Sequence, residues 1–392
     1  MNPVYLVSGA RTAIGDFGGS LKDHSPAELG RIVIAQAIRR AGLSADDVGH
    51  VVLGQVIPTV PKDAYLARVA AVAAGIPVKV PALTVNRLCG SGLQAIVSAG
   101  QMIALGECDV AVAGGAEVMS RAPHHVPALR FGQRMGDATM VDAMIEVLSD
   151  PFEGYHMGVT AENVAQQCGI DRAAQDEAAA ESHARAARAQ EEGRFDSQIV
   201  AVEVRDRNAS RLFDRDEHVR AGTTAESLGA LRPAFSKDGT VTAGNASGIN
   251  DGAAALVLMR ESTARERGLT VLARVAGHAG HAQDPAWFTT APVKAIAALH
   301  DKLGWSADSV DLYEINEAFA VVTMAAIHEL GLDRAKVNVN GGACALGHPI
   351  GASGARLMVT LLHALRRRGL KRGIASLCIG GGEATAIGLE ID

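Results

Sequence analysis

A short pattern occurs twice in this chain of 392 residues, and that internal repeat limits the folds available to it. An apolar run that ends in glycines and a glutamate lies at 109–117 (DVAVAGGAE) and again at 375–383 (ASLCIGGGE). Each copy follows a helical pattern of small and aliphatic residues, which itself follows a predicted strand and a glycine-rich turn. Such a repeat predicts two α/β halves related by a pseudo-twofold axis. Their equivalent strand-to-helix turns are then expected to face one cleft.

Short apolar runs alternate with helical patterns at both ends of the chain but not in its middle. Strands are predicted at 4–7, 50–57, 82–88, 109–113, 271–277, 311–315 and 336–340. Between about residues 121 and 250 the alternation stops, and Met, Arg, Pro and His cluster in the early part of that segment. The predicted domains are an N-terminal half (1–120), an inserted loop domain (121–250), a segment completing the N-terminal half (251–270) and a C-terminal half (271–392).

The composition indicates an ordinary globular protein with no global affinity for polyanions. Apolar residues make up 48% of the chain and charged residues 20%, while 37 Lys and Arg against 43 Asp and Glu leave a formal charge of −6. Neither nucleic acid nor an anionic membrane surface is therefore an expected partner, and an anionic ligand needs a local patch of positive charge.

The five cysteines and the N-terminus predict a reducing compartment. The cysteines are odd in number, include no CxxC pair and lack metal-ligand spacing, so neither a disulfide framework nor a metal site is expected. No basic region precedes the first apolar run, and no window of about 18 uninterrupted apolar residues predicts a membrane-spanning helix. The expected location is the cytoplasm.

Cys89 is a candidate nucleophile because of its place between a predicted strand and a helix. It immediately precedes a Gly-x-Gly turn that opens the helix. The free amides of a first helical turn and the positive end of the helix dipole favour a thiolate. A buried structural cysteine is the alternative, since free cysteines are commonly buried. Gly90 and Gly92 favour the nucleophile, because they remove side chains that would block a substrate carbonyl.

Three further residues lie in similar surroundings. His348 stands in a glycine-rich stretch at 340–356 (NGGACALGHPIGASGAR), where an imidazole beside a thiol can take its proton, although a surface histidine is the alternative. Cys378 precedes the glycines at 380–382 and suits either an acid–base role or a core strand. Asn316 follows a predicted strand, where its amide can stabilise an oxyanion or cap a helix.

The glycine surplus suggests one competing class of enzyme. The chain contains 43 glycines, but no GxGxxG motif follows the first strand, which argues against a nucleotide-dependent oxidoreductase. A non-catalytic scaffold is the other alternative. It gives no reason for Cys89, His348 and Cys378 each to lie in a glycine-lined turn.

Six motifs spread over essentially the whole chain resemble the thiolase family, and within it the bacterial acetyl-CoA acetyltransferases. They are NRLCGSG at 86–92, GYHMGVTAE at 154–162, the small-residue stretch at 242–251, NEAFA at 316–320, GHPIGA at 347–352 and CIGGG at 378–382. The resemblance implies a thiolase-like α/β fold: two duplicated βαβαβ-type halves packed as α/β/α/β/α layers, with an inserted loop domain that contacts coenzyme A.

The resemblance also implies a role for each candidate. Cys89 would be the nucleophile that is acylated, His348 the base that activates it, and Cys378 the residue that removes the α-proton of the second acyl-CoA. Asn316 would hold a water that forms one oxyanion hole with His348. The backbone amides of Cys89 and Gly380 would form the other oxyanion hole.

The implied reaction is the reversible Claisen condensation of two acetyl-CoA to acetoacetyl-CoA plus CoA through an acyl-thioester on Cys89. The alternative is a broader 3-ketoacyl-CoA thiolase of fatty-acid or related degradation. Coenzyme A thioesters are substrates in this scheme, and no other cofactor and no metal is expected. The family forms homodimers and often homotetramers, with 121–140 as the expected contact loop.

Eleven positions match the coenzyme A contacts of the family. They are His156, Met157, Arg220, Ser227, Leu231, Phe235, Ala243, Ser247, Phe288, Ala318 and Phe319.

The chain departs from the usual family pattern in three places. Trp287 and Phe288 replace a smaller Met-Gly sequence, Glu383 stands where Met or Gln is frequent, and Cys344 where an aliphatic residue is frequent. Phe288 is expected near the bound pantetheine. We therefore expect the bulkier pair to restrict the enzyme to short acyl groups.

Overall fold

The computed structural model describes residues 3–206 and 209–391. Its strands in chain order are β1 (Val4–Thr12), β2 (Gly15–Asp16), β3 (His50–Gly54), β4 (Ala82–Val85), β5 (Val110–Val118), β6 (His124–His125), β7 (Val141–Asp142), β8 (Ile199–Val200), β9 (Val202–Asp206), β10 (Ala209–Phe213), β11 (Asn250–Arg260), β12 (Ala273–Ala282), β13 (Leu312–Ile315), β14 (Arg372–Ile379) and β15 (Glu383–Glu390). Its α-helices are α1 (Pro26–Arg40), α2 (Leu66–Ala73), α3 (Ser91–Leu105), α4 (Ala143–Val147), α5 (Gly158–Gln167), α6 (Arg172–Glu191), α7 (Ala225–Gly229), α8 (Glu261–Glu266), α9 (Ala291–Leu303), α10 (Ala320–Leu330), α11 (Ala343–Leu346) and α12 (Ile350–Arg368).

One large mixed sheet runs through the molecule in the order β13-β14-β15-β12-β1-β11-β5-β3-β4. In its N-terminal part, β5 is antiparallel to β11 and parallel to β3. In its C-terminal part, β14 is likewise antiparallel to β15 and parallel to β13. The two copies of the repeated pattern therefore lie on equivalent strands, which confirms the duplicated α/β fold. Among the described residues, the two parts of the sheet are joined by the pairing of Tyr5 and Leu6 of β1 with Arg274 and Ala273 of β12.

The helices form layers on both sides of the two parts of the sheet. Helices α1 and α2 cover the outer face of the N-terminal part, α3 and α12 lie between the parts, and α9 and α10 cover the outer face of the C-terminal part. Buried apolar side chains fill a separate core in each of the three spaces. This is the α/β/α/β/α order that the resemblance implies.

The two central helices approach each other with almost no side chain between their first turns. A Cβ on Gly92 would lie 2.5 Å from the backbone nitrogen of Ala355, and one on Gly354 would lie 2.4 Å from that of Leu93. Only glycine fits at both positions, because backbone atoms cannot move aside as a flexible side chain can. The contact brings together the turns that precede α3 and α12.

Helix α3 is unusually apolar for a helix of this fold. The stretch Leu88–Leu105 has a mean hydropathy of 1.4, and by length and composition alone such a helix could cross a membrane. In the structure this stretch packs against α12 and against β3, β5 and β11. Its hydropathy is therefore explained by its place in the central layer.

Several predicted strand boundaries are wrong, and one predicted strand is absent. Strand β1 continues past residue 7 to Thr12, β3 ends at Gly54 rather than at 57, β4 ends at Val85 rather than at 88, and β12 spans Ala273–Ala282 rather than 271–277.

Strand β5 does not end at the glycines but continues to Val118, because Gly115 leaves room for the carbonyl of Gly351, which a Cβ would meet at 2.1 Å. No strand occupies 336–340, a stretch that the structure describes in full. Instead, the side chain of Asn338 bonds both the amide and the carbonyl of Ile315, which a neighbouring strand would otherwise pair.

The segment between β5 and β11 packs onto the C-terminal part of the molecule. Helices α5 and α6 contact α10, and α6 also contacts α11. The small-residue stretch that ends this segment touches the C-terminal half directly, since Ala246 forms an isolated bridge with Phe319. These contacts build one wall of the pocket described below.

Candidate active site

Cys89 lies at the end of a tight turn between β4 and α3. Leu88 adopts a left-handed conformation with φ of 46°, which is strained for a side chain of this size. The turn is held by side chains on both sides: Asn86 Oδ1 accepts from the Leu88 amide at 3.0 Å, and Ser91 Oγ accepts from the Arg87 amide at 2.8 Å. The result is a cysteine presented beside the first turn of α3.

The thiol of Cys89 lies among backbone donors but in apolar surroundings. Its own amide and the amide of Gly380 both point to the sulfur. Burial nevertheless raises the pKa of the Cys89 thiol to about 11, and the nearby Glu117 carboxylate adds to the rise. The backbone donors favour a thiolate as expected, but the loss of hydration outweighs them. The sulfur needs a base to become a nucleophile.

His348 is buried and has a defined tautomer. Ser353 Oγ donates its single proton to the Pro349 carbonyl at 2.8 Å, so it can only accept from His348 Nδ1 at 2.5 Å. The Nδ1 atom therefore carries the proton, and Nε2 carries the lone pair. Burial, with a smaller contribution from the Arg356 charge, lowers the pKa of His348 to about 3. The structure thus holds a neutral imidazole whose acceptor nitrogen, Nε2, faces the side-chain amide of Asn316.

Asn316 lies beside that acceptor. Its Nδ2 is 3.4 Å from His348 Nε2, and its Oδ1 lies 3.5 Å from a guanidinium nitrogen of Arg356. The helix-cap alternative for Asn316 is wrong, because the capping position of α10 is Phe319. The Asn316 amide is left to donate into the space that His348 Nε2 also faces.

Cys378 is the penultimate residue of β14, shortly before the glycine hairpin. It is fully buried, and burial together with the neighbouring Cys89 raises the pKa of its thiol far above the usual range. The effect of Cys89 on the pKa of the Cys378 thiol means that the two thiols lie close to each other. Gly380, two residues later, donates its amide to Cys89. The structure therefore unites Cys89 with Cys378 and Gly380, and Asn316 with His348.

A pocket of about 560 Å³ has His348 in its lining. An aromatic group forms part of its wall: the His156 and Phe235 rings stack with centroids 4.5 Å apart, and Phe319 meets Phe235 edge-on at 5.9 Å. The predicted contact residues that line the pocket are His156, Arg220, Phe235, Ala243, Ser247, Ala318 and Phe319. These residues come from the inserted segment and from the turn before α10.

Four predicted contact residues lie elsewhere. Met157 is buried behind the pocket, where its Cε approaches Gly380. Ser227 lies in the first turn of α7, where its amide donates to the capping residue Thr224, and Leu231 is 40% exposed beside Gly244. Phe288 is only 2% exposed and packs in the core of the C-terminal part. The structure does not bring Phe288 to the pocket, because its short helical segment turns the ring inward.

The pocket also contains residues that sequence reasoning missed. His218 and Asp16 line it and bond each other at 2.5 Å, with Phe17 alongside. The His218 partner holds the pKa of Asp16 below its usual range. Asp16 comes from the short strand β2, far from the insertion in sequence, so no local spacing could have paired the two. Among the described residues, no group of three or more His, Cys, Asp or Glu could hold a metal ion.

Comparison with known families identifies the class. The model of the thiolase N-terminal domain matches residues 4–262, and that of the thiolase C-terminal domain matches residues 269–391. This chain belongs to the thiolase family, whose members are acyltransferases.

Particular relatives agree with that class along the whole chain. The sequence is 55% identical to beta-ketothiolase BktB of Cupriavidus necator over 98% of each chain, and 52% identical to the acetyl-CoA acetyltransferase of Pseudomonas aeruginosa over 100% of each. Among solved structures, human mitochondrial 3-ketoacyl-CoA thiolase in complex with CoA matches with a TM-score of 0.97 and 41% identity, covering 100% of this chain and 98% of that one.

Proposed function

We propose that this thiolase interconverts two acetyl-CoA with acetoacetyl-CoA plus CoA through an acetyl-thioester on Cys89. The observation that carries the proposal is the junction of both halves at one thiol: Cys89 comes from the N-terminal half, while Cys378 and the Gly380 amide come from the C-terminal half. Relatives named acetyl-CoA acetyltransferase, about half identical to this chain, support the substrate.

The first half-reaction transfers an acetyl group to the enzyme. His348 Nε2 takes the proton of Cys89, and the sulfur attacks the thioester carbonyl of acetyl-CoA. The carbonyl oxygen becomes an oxyanion, which one set of donors stabilises until CoA leaves as a thiol with the proton from His348. The high pKa of the Cys89 thiol requires a base, and the unprotonated Nε2 of His348 supplies an acceptor for that proton.

The second half-reaction forms the carbon–carbon bond. Cys378 as a thiolate removes a proton from the methyl group of a second acetyl-CoA, and the resulting carbanion attacks the acetyl carbon on Cys89. The bond to the Cys89 sulfur then breaks, acetoacetyl-CoA is released, and the Cys89 thiolate takes the proton held on Cys378, which regenerates the Cys378 thiolate. Two oxyanions need two donor sets, which we assign to the Cys89 and Gly380 amides and to His348 with a water held by Asn316.

Coenzyme A itself fits the pocket beside His348. The aromatic and small-residue walls of the pocket suit an extended apolar ligand with amide groups. Arg220 supplies positive charge there, although the protein is acidic overall. The proposed reaction uses coenzyme A thioesters as substrates and requires no metal or further cofactor.

The preferred acyl length separates this proposal from the alternative of a broader 3-ketoacyl-CoA thiolase. A 55% identical relative named beta-ketothiolase and the human 3-ketoacyl-CoA thiolase structure favour the alternative. We propose that Trp287 and Phe288 still restrict the acyl group to short chains. Because Phe288 shares a core cluster with Met157, any such restriction acts through the side chains that Phe288 supports.

We further propose a cytoplasmic homo-oligomer, a dimer or tetramer, that acts in lipid metabolism. The contact loop at 121–140 is unusually apolar for a surface. Its exposed fractions are 94% for Phe131, 90% for Met135, 63% for Met140 and 60% for Leu129. Exposed side chains of this kind commonly cover a partner surface.

A single assay tests the proposed reaction. The protein is mixed with acetoacetyl-CoA and CoA, and loss of the enolate absorbance is followed. We expect turnover that depends on both substrates in a ping-pong pattern. A kcat/KM for a long-chain 3-ketoacyl-CoA comparable to that for acetoacetyl-CoA would defeat the short-chain restriction, and no turnover of either would defeat the proposed function.

A further inference from the structure

An ion pair joins the turn that carries Cys89 to the hairpin that carries Gly380. Arg87 donates from Nε at 3.0 Å and from a terminal nitrogen at 2.6 Å to one carboxylate oxygen of Glu383. Its other terminal nitrogen donates to Gln94 in α3 at 3.0 Å. Arg87 belongs to the N-terminal half and Glu383 to the C-terminal half, so the pair bridges the two.

The backbone position of Glu383 is fixed by the sheet. Glu383 begins β15, where it pairs with Ile379 of β14 on one side and with Ala282 of β12 on the other. The hairpin between Ile379 and Glu383 therefore has a rigid base, and Gly380 sits on it. A side chain at Glu383 that reaches across to Arg87 ties the Cys89 turn to this rigid base.

The Cys89 turn needs such a tie because it is strained. Leu88, between Arg87 and Cys89, holds φ at 46°, a conformation that persists only where neighbouring groups enforce it. Asn86 and Ser91 restrain the turn from its own half of the molecule. Within the described residues, the Arg87 side chain adds a charged bond from this strained turn to the other half.

We propose that Arg87 and Glu383 are positioning residues that set the Cys89 sulfur against the Gly380 amide. The pair bonds no reacting atom. It acts by limiting how far the Cys89 turn moves from the hairpin, and so how well the amide donates to the sulfur and to an oxyanion formed beside it. The inference rests on the proposed function for its catalytic consequence, but its effect on the thiol itself is independent of substrate.

The partial exposure of the pair sets the expected size of the effect. The side chains of Arg87 and Glu383 are 31% and 41% exposed, so water and salt weaken the bond. We expect the Cys89 alkylation rate and kcat each to fall about fivefold when the ion pair is removed, which is the upper end of the effect of an exposed pair. Salt at about 1 M shortens the range of charge interactions to about 3 Å and should weaken the bond in the unaltered protein.

The test measures Cys89 reactivity with iodoacetamide by peptide mass spectrometry, in the full-length protein at low and at high salt. The exposed Cys168 is alkylated in the same samples and serves as an internal standard. The variants are Glu383→Gln, Arg87→Gln and the double substitution. Glu390→Gln is the matched control, because Glu390 lies at the far end of the same strand and bonds Arg274 and Arg372 instead.

We expect Glu383→Gln to slow Cys89 alkylation and to lower kcat in the acetoacetyl-CoA assay, each about fivefold, with KM within twofold of its original value. The double variant should be no slower than either single variant, since one bond is lost in all three. At high salt, the Cys89 alkylation rate of the unaltered protein should fall close to that of Glu383→Gln.

Two results would overturn the proposal. One is a Cys89 alkylation rate in Glu383→Gln within twofold of the original, and the other is an equal loss in Glu390→Gln. A protein without thiolase turnover would contradict the proposed function, whereas the alkylation rates would still decide whether the ion pair positions the thiol.

Discussion

The N-terminal half carries a thiol on the turn before α3, whereas the C-terminal half carries an imidazole on the turn before α12. Cys89 is half-buried on a strained turn, and its sulfur receives backbone amides. His348 is buried, and Ser353 in the first turn of α12 bonds its ring. The C-terminal half adds a second buried thiol at Cys378.

This difference suggests how a duplicated unit divides one reaction. In the proposed reaction, the N-terminal turn presents the group that a substrate must reach, so access and strain are tolerated there. In the same proposal, the C-terminal turns hold the groups that move protons, so burial and fixed hydrogen bonds are favoured there. The same architecture therefore supports two kinds of environment, and the helix contact at Gly92 and Gly354 brings them together.

The largest expected effect on turnover comes from replacing Cys89 or Cys378 with alanine. Cys89→Ala should lower turnover on the order of 10⁶-fold and abolish acetyl labelling by acetyl-CoA, since no nucleophile is left. Cys378→Ala should lower turnover by roughly 10²- to 10⁴-fold while labelling persists, since only the proton transfer to and from carbon is lost. Intact mass spectrometry measures the label, and the acetoacetyl-CoA assay measures turnover.

A labelled Cys89→Ala protein would show that the nucleophile lies elsewhere. If Cys378→Ala instead loses its label and Cys89→Ala keeps it, the roles of the two halves are reversed.

The next effect concerns the glycines that bring the halves together. Gly92→Ala and Gly354→Ala should each destabilise the protein by about 1–3 kcal/mol or more, because the new Cβ meets backbone atoms of the facing helix. Urea unfolding measures the loss, and the acetoacetyl-CoA assay should show lower kcat as the two turns separate.

Gly100 provides the matched control within α3. A Cβ there comes no closer than 3.9 Å to any neighbour, so Gly100→Ala should leave stability unchanged or raise it by up to about 1 kcal/mol. Equal destabilisation at Gly92 and Gly100 would mean that the helix contact is not the reason.

The smallest expected effect is on the pH dependence of stability, and it tests the burial of His348, which contrasts with the half-buried Cys89. The pKa of His348 falls from 6.5 to about 3 on folding, so the unfolded chain binds a proton more readily below pH 6.5. The stability held through this group is complete above pH 6.5 and is lost as the pH falls toward 3. Between pH 8 and pH 5 the unaltered protein should lose about 2 kcal/mol more than His348→Gln, measured by urea unfolding.

His328→Gln, at the exposed end of α10, is the control and should follow the unaltered protein. Parallel losses in the unaltered protein and in His348→Gln would contradict a buried neutral imidazole.

The duplicated fold and the turns that carry Cys89, His348 and Cys378 could be predicted because their signals are local. Glycines beside Cys89, His348 and Cys378 mark turns, and the family motifs around them are contiguous in sequence. The boundaries that failed depend on distant atoms. Gly115 is required inside β5 because a Cβ there would collide with the carbonyl oxygen of Gly351. The side chain of Asn338 bonds the edge of β13 that a neighbouring strand would otherwise pair.

The pocket was harder to predict than the reacting residues for the same reason. His156, Phe235 and Phe319 follow from family motifs, but the meeting of Asp16 with His218 joins segments that no sequence spacing connects. Phe288 illustrates the converse. Its position in the motif suggests a substrate contact, whereas the fold packs its ring inward.

The pairing of β1 also determines when the protein can fold as it leaves the ribosome. On one edge of β1, Val4 and Arg11 pair with Arg260 and Ala254 of β11. The other edge pairs with β12, which lies still later in the sequence. The edge of β1 that pairs with β11 therefore stays open until the whole insertion has emerged, although β8 within the insertion pairs with Arg11 and Thr12. Contacts this distant in sequence form slowly, and unpaired strand edges invite association with other chains. The insertion thus sets a period of vulnerability during synthesis, which ends when β11 closes the N-terminal half.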